Sequence, residues 1–205
     1  MNKLGKEQFI RQVRSALATT PESNQFHSGT RPAAVLLPLY WHNQGWNLLF
    51  TKRTDSVATH SGQVSFPGGA IDSADESAQS AALREVFEEI GIKAHDVEIL
   101  GSMKNMITIT HFNITPFVGR IPWPYNLKLN PDEVDKTFGA SLNWLAAPEN
   151  LKTEQRYISG LDISIPVHFF STHEVEVIWG ATAQLTVNFL KLVGLKSAES
   201  KREQD

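Results

Sequence analysis

The chain has 205 residues, of which 41% are hydrophobic and 20% charged, with a formal net charge of −3 and no cysteine. That balance suits an ordinary globular protein and carries no electrostatic footprint for nucleic acid or an anionic membrane surface. Zero cysteines exclude disulfides, thiolate catalysis and cysteine-ligated zinc. The opening MNKLGKEQFIRQVRSAL lacks the apolar core of a signal peptide, and no run of about 18 apolar residues occurs, so a cytoplasmic protein without a membrane span is expected.

Leu4, Phe9, Val13 and Leu17 recur on one face and predict an amphipathic helix over 4–17, followed by a polar linker over 18–31. Ala33 to Trp41 is a dense apolar run, a buried strand, and Trp46 to Arg53 predicts a second strand pairing with it as a hairpin. A polar loop with His60 and Gly62 leads into a short extended piece, Gln63 to Phe66, ending at Pro67. Next come the Gly68-Gly69 turn and a helix. Ser73 and Glu76 have capping-box spacing and predict a start just after Ser73, while Gly91 stands where a C-cap glycine belongs. Strand candidates follow at Val97–Met103, Met106–Thr110 and Ile114–Ile121, then a Pro-rich loop over Ile121–Val134. Leu142 opens a short helix ended by Pro148, Pro166–Phe170 and Val175–Trp179 predict a hairpin, and Thr182–Val193 a last amphipathic helix before a charged tail. Hairpins mixed with helices predict an α/β (α+β) sandwich, a mixed sheet between helices.

The central helix carries the chemistry. At 100° per residue Gln79, Leu83, Val86, Phe87 and Ile90 share a face expected to be buried. Glu85 and Glu89 lie one turn apart on the opposite side, with Glu88 beside them and Arg84 four residues before Glu88. Like charges at i,i+4 cost about 0.2–0.5 kcal/mol each, and a helix C-terminus disfavours anions. Hard Mg²⁺ or Mn²⁺ would relieve the conflict, and a solvated acidic face is the plainer alternative. The preceding glycine turn can bring backbone N–H groups up to an anion.

Gly69 followed by Arg84-Glu85-Val86-Phe87-Glu88-Glu89-Ile90-Gly91-Ile92 resembles the Nudix box, whose second half (R-E-U-x-E-E-x-G-U, U a bulky aliphatic) matches at every specified position. The first half departs: Asp75 stands sixth after Gly69, Glu76 follows, and the loop before Arg84 is one residue longer than the general pattern. That form resembles the coenzyme A pyrophosphatase branch, on Phe66-Pro67-Gly68-Gly69, Asp72 and Asp75, and on the upstream Thr51, Arg53, His60, Gly62 and Gln63. Thr54 replaces the branch's Ser or Ala, and Ala58 stands where it has arginine. Pro131–Val134 and Ile178–Ala183 also look like this branch, so the resemblance runs from about Ala33 to Leu192.

The resemblance implies a Nudix fold over 31–195, flanked by an N-terminal helix and linker over 1–30 and a tail over 196–205. It implies Mg²⁺- or Mn²⁺-dependent hydrolysis of CoA or acyl-CoA to 4′-phosphopantetheine (or its acyl form) and adenosine 3′,5′-bisphosphate. The alternatives are another nucleotide substrate (ADP-ribose, a dinucleotide or a triphosphate), which Thr54 and Ala58 motivate, or a non-catalytic nucleotide-binding domain. The box glutamates argue against the latter. By motif position Glu85 and Glu89 are the main metal ligands, with Glu88 next, as ligand or general base; Arg84 orients a carboxylate. The base stays open between a box glutamate and a loop acid, Glu133, Glu154 or Glu174. Gly68 and Gly69 are expected near metal or phosphate, with Arg53 and His60 as phosphate or adenine contacts. Arg31 and Lys52, as cations, and Trp123 and Tyr125, as stacking surfaces, are weaker candidates. A small nucleotide is the expected partner, for a monomer or homodimer, with neither nucleic acid nor membrane.

Overall fold

Strand β1, Arg31–His42, is a 12-residue strand inside the larger of two sheets. The computed structural model describes residues 3–18, 29–55, 62–160, 162–171 and 176–195. Before β1 comes helix α1, Lys3–Ala18. After it come β2 (Gly45–Arg53), β3 (Val64–Ser65), β4 (Gly68–Ala70), helix α2 (Ala78–Ile90), β5 (Glu98–Ser102), β6 (Met106–Ile107), β7 (Phe112–Arg120) and β8 (Val134–Ser141). The remainder is α3 (Leu142–Ala146), β9 (Leu151–Ile158), β10 (Ile163–Ser171), β11 (Val177–Trp179) and α4 (Gly180–Leu192). The described chain divides into two compact units, Met1–Ser141 and Leu142–Asp205.

In the first unit the strand order is β3-β2-β1-β7-β5, with β4 on β1, β6 on β7 and β8 on β2. The β1–β7 pair is parallel and the others antiparallel, so the sheet is mixed, as expected. The C-terminal half of β1 pairs with β2 through Leu39 to His42, forming the expected hairpin, while its N-terminal half pairs with β4, Ala34 opposite Gly69 and Val35 opposite Gly68. That second pairing fixes the glycine turn. Helix α2 then lies across β1, with Ala81 and Ala82 packed against Ala34 and with Val86 and Ile90 in a cluster with Leu36, Tyr40 and Leu49. The N-terminal helix covers β5; a Cβ at Gly101 would lie 2.8 Å from the Leu17 side chain, so glycine lets the two approach.

The second unit holds a three-stranded antiparallel sheet, β11-β10-β9, and helices α3 and α4. Phe170 and Ile178 face inward and are fully buried. On the other face Phe169 stacks on Trp179, with the Arg156 guanidinium 5.1 Å from the Phe169 ring.

The strands differ from expectation in places. The strand expected at Met106–Thr110 stops at Ile107, because Thr108 to His111 close a turn onto β7 (Thr108 N–H to Phe112 carbonyl, 2.8 Å), with His111 at φ 61. Strands β8 and β9 were not expected: β8 follows the Pro-rich loop, and β9 (LKTEQRYI) alternates charged residues at its exposed positions with little apolar signal. The linker over 19–28 and the tail over 196–205 lie outside the described residues. Among the described residues, no helix is long and apolar enough to cross a membrane.

Candidate active site

The site begins with a correction at the start of α2. The N-cap is Ser77, not Ser73, and the reciprocal partner is Ser80 (Ser80 N–H to Ser77 Oγ, 3.1 Å; Ser77 N–H to Ser80 Oγ, 2.8 Å). The residues before it are used otherwise. Asp75 N–H donates to the Asp72 carbonyl at 3.0 Å, and the Asp72 N–H returns a 2.8 Å bond to Asp75 Oδ2. This turn consumes the extra residue and aims Asp75 at Arg84. At the other end Gly91 caps α2 as expected, at φ 74, its N–H on the Phe87 carbonyl.

Arg84 is saturated. Its Nε and one terminal nitrogen hold Asp75 in a fork, both at 3.0 Å, and that nitrogen also reaches the Ala70 carbonyl at 3.2 Å. The other nitrogen donates to Glu85 and Glu88, each at 2.9 Å. All five guanidinium donors are therefore engaged inside the protein. Arg84 positions carboxylates and has no donor left for a substrate. In return it holds the Asp75 carboxyl below the usual range, chiefly through their hydrogen bonds.

The helix face also differs from expectation. Phe87 is 53% exposed, whereas Glu89 is 1% exposed and lies among Ala81, Ala82, Val86 and Ile90 on the buried side. The hydrophobic pattern places α2 against the sheet, but the turn at β4 offers that face polar company. The Gly68 backbone N–H bonds to Glu89, and the Arg53 guanidinium, at the end of β2, lies 3.7 Å from Glu89 Oε1. Its second oxygen, Oε2, is buried without a hydrogen-bond partner. A Cβ on Gly69 would fall 2.6 Å from the Glu85 carboxyl group, so only glycine leaves room there.

A third carboxylate arrives on the Pro-rich loop. Lys128 N–H caps the Ile90 carbonyl at 3.0 Å and Asn130 N–H caps the Glu89 carbonyl at 2.9 Å, so the loop satisfies the last carbonyls of α2. Thr54 N–H, just beyond β2, holds the Glu133 carbonyl at 3.0 Å. The result is that ligand oxygens of Glu85, Glu89 and Glu133 all lie within 4.8 Å of one another. Burial is the main force pushing the Glu89 carboxyl up to about 8; Arg53 opposes it, Glu85 and Glu133 add to it, and the Gly68 N–H opposes it. Glu85 is also raised, first by burial and against the pull of Arg84.

These features suit a hard divalent cation: three convergent carboxylates, a buried oxygen without a partner, and a glycine cradle. Glu88 lies outside the group, half-exposed and paired with Arg84. Arg31 sits 4.4 Å above the Phe112 ring and bonds the Thr110 carbonyl, a structural role. Trp123 packs on Tyr40 at 4.1 Å, and Tyr125 donates to Asp96 at 2.7 Å, so both rings brace the loop. Glu154, in the second unit, pairs with Lys152 at 2.9 Å and Arg156 at 3.8 Å. His60, Ala58 and Glu174 lie outside the described residues. The loop anchors Asn130 and Thr54 escaped sequence reasoning as site residues; the Asn-Pro-Asp turn signature before Glu133 was the available signal.

Known proteins resemble this chain in sequence and in fold. The NUDIX domain model matches residues 29–159. The chain is 37% identical over 170 residues to the uncharacterized Nudix hydrolase NudL of Enterobacter sp. strain 638, covering 81% of this chain and 84% of that protein. It is 34% identical over 176 residues to the corresponding NudL of Escherichia coli K12, covering 86% and 90%. Among solved structures, a MutT/nudix family protein from Enterococcus faecalis superposes over 95% of this chain and 75% of its own, with a TM-score of 0.51 at 13% identity, which supports the fold.

Proposed function

The chain belongs to the Nudix family, and from that premise we propose that it hydrolyses the diphosphate bond of coenzyme A or acyl-CoA, with Mg²⁺ or Mn²⁺ held by Glu85, Glu89 and Glu133. The observation that carries the catalytic half is the convergence of those three carboxylates within 4.8 Å on a helix end and a pinned loop. When bound, the metal neutralises diphosphate oxygens and activates water. The rest is the work of the chain. Arg84 sets the rotamer of Glu85 and draws Glu88 to the rim. Arg53, beside Glu89 and 25% exposed, is placed to exchange that contact for a substrate phosphate. Glu88, with one oxygen on Arg84, is the proposed proton acceptor from the attacking water. That water's oxygen joins phosphorus, the bridging P–O bond breaks, and two phosphomonoesters leave.

The substrate half rests on the FPGG turn, Asp72, Asp75 and the upstream Thr51, Arg53, Gly62 and Gln63. The structure supports one part of it, since Asp75 closes the turn that the longer loop requires and grips Arg84. The departures at Thr54 and Ala58 motivate a second reading, hydrolysis of ADP-ribose or a dinucleotide at the same site. A panel of CoA, acetyl-CoA, ADP-ribose, a dinucleoside polyphosphate and a nucleoside triphosphate, assayed with Mn²⁺, separates them. The expected result is the highest kcat/KM on CoA or acetyl-CoA, with adenosine 3′,5′-bisphosphate released. A higher value on ADP-ribose replaces the substrate and keeps the site. No hydrolysis across the panel overturns the reading.

A further inference from the structure

Glu133 is the one member of the carboxylate group that does not belong to α2, and a loop acid needs something to hold its side chain in place. We propose that Asn130 is the positioning residue that sets the Glu133 carboxylate for cation binding, an inference that rests on the metal-site reading above. Five hydrogen bonds converge on Asn130. Its backbone N–H caps the Glu89 carbonyl at 2.9 Å, which ties the loop to a helix residue whose own side chain belongs to the carboxylate group. Its side-chain Oδ1 accepts the Asp132 N–H at 3.1 Å. Its side-chain Nδ2 donates to Glu133 Oε1 at 3.2 Å. The orientation of the amide follows from its neighbours: a backbone N–H requires the oxygen and a carboxylate requires the NH₂ group. The Asn130 carbonyl accepts from the N–H groups of Glu133 (3.1 Å) and Val134 (2.8 Å), which completes a tight turn at the start of β8.

The turn alone would be an ordinary loop device. The bond from Nδ2 adds something that a turn does not need. It occupies one Glu133 oxygen with a neutral donor, restricts the rotation of the carboxylate, and leaves the rest of its acceptor capacity for the group formed with Glu85 and Glu89. A neutral donor suits this place, because it steadies the anion without cancelling the charge a cation requires. Thr54 holds the other flank of the same loop, through its N–H on the Glu133 carbonyl and its hydroxyl on the Asp132 carbonyl at 3.1 Å. Asn130 and Thr54 therefore share the loop-anchoring role, and Asn130 adds the carboxylate contact.

The test is Mn²⁺ binding to the full chain without substrate, read from the free-ion electron paramagnetic resonance signal, together with the unfolding midpoint without metal. Asn130→Ala removes both side-chain bonds. Asn130→Ser restores an oxygen for the Asp132 N–H but has no donor within reach of Glu133. Partners of ligating carboxylates typically contribute about 10- to 100-fold to metal affinity. The expected result is that both variants weaken Mn²⁺ binding by at least about tenfold, and that serine recovers stability but not affinity. Asn130→Ser added to Glu133→Gln should weaken binding no further than Glu133→Gln alone, because the effect passes through Glu133. Wild-type affinity in the serine variant, or additive loss in the double variant, overturns the positioning role and leaves the metal site standing. A wild-type chain that binds no Mn²⁺ overturns both.

Discussion

Glu133 and Glu154 are both candidate loop-side acids in the sequence, and the structure gives them opposite surroundings. Glu154, on β9, stands between Lys152 at 2.9 Å and Arg156 at 3.8 Å, and Lys152 holds its carboxyl below the usual range. That is a solvated ion pair on a sheet, of a kind worth little to stability. Glu133 instead faces two more carboxylates within 4.8 Å. Arg84 reaches that group at Glu85, 2.9 Å away, but is shared with Asp75 and Glu88, and Arg53 stands 3.7 Å from one oxygen of Glu89. Charge that a protein neutralises locally is surface chemistry, whereas charge it gathers and leaves under-compensated in a buried place is a binding site for something positive.

The largest expected effect tests that contrast directly. Removing a metal ligand forfeits several kcal/mol of charge stabilisation, so Glu89→Gln should lower turnover of CoA by about 10³-fold in steady-state kinetics with Mn²⁺. Glu154→Gln should stay within about twofold of wild type. A comparable loss in both variants would erase the distinction between the two regions.

The adjacent glycines sharpen it. A Cβ on Gly68, at φ 148, would meet the Ala34 carbonyl oxygen at 2.4 Å and Val35 Cα at 2.6 Å, both rigid backbone. Gly68→Ala should therefore lower stability by about 2–3 kcal/mol, read as a shift in the urea midpoint. A Cβ on Gly69 meets the Glu85 carboxyl group at 2.6 Å, the end of a side chain held by Arg84. Gly69→Ala should spare most of the stability and reduce turnover by about 10- to 100-fold, because it displaces a ligand.

The third prediction concerns pH. The Glu89 carboxyl rises from 4.5 to about 8 on folding, so the folded chain holds a proton that the unfolded chain has released. Its contribution is fully present below pH 4.5 and is lost as pH rises through 8. Metal-free protein should lose up to a few kcal/mol between about pH 5 and pH 8, read by denaturant titration. Glu89→Gln should flatten that slope and be more stable than wild type at pH 8 without metal. An equal slope in both proteins would place the titration elsewhere.

Much of this was legible in the residues. The β1–β2 hairpin announced itself through continuous apolar runs, and the end of α2 through Gly91 and its glutamates. The start of α2 was not legible: Ser73 and Glu76 have capping-box spacing, but the cap is formed by Ser77 with Ser80, while Asp75 bonds the Asp72 N–H and Arg84. The inward turn of Glu89 and the outward turn of Phe87 defeat a hydrophobic pattern outright. Such a pattern assigns carboxylates to solvent; it does not know that a glycine N–H and an arginine from distant strands wait inside. Strand β9 was invisible for a related reason: it is held by cross-strand backbone pairing with β10, and little of it is buried. Glu133 was a candidate only by analogy, since its place beside α2 is set by loop bonds to Glu89, Ile90 and Thr54 that no local pattern encodes.

The central claim is that three carboxylates from α2 and the Pro-rich loop form a divalent-cation site. Titrating metal-free wild type, Glu89→Gln and Glu154→Gln with Mn²⁺, and reading bound against free ion, tests it most directly. The account predicts saturable binding to wild type and to Glu154→Gln with equal affinity, and at least about tenfold weaker binding to Glu89→Gln. Equal uptake by Glu89→Gln and wild type would contradict it.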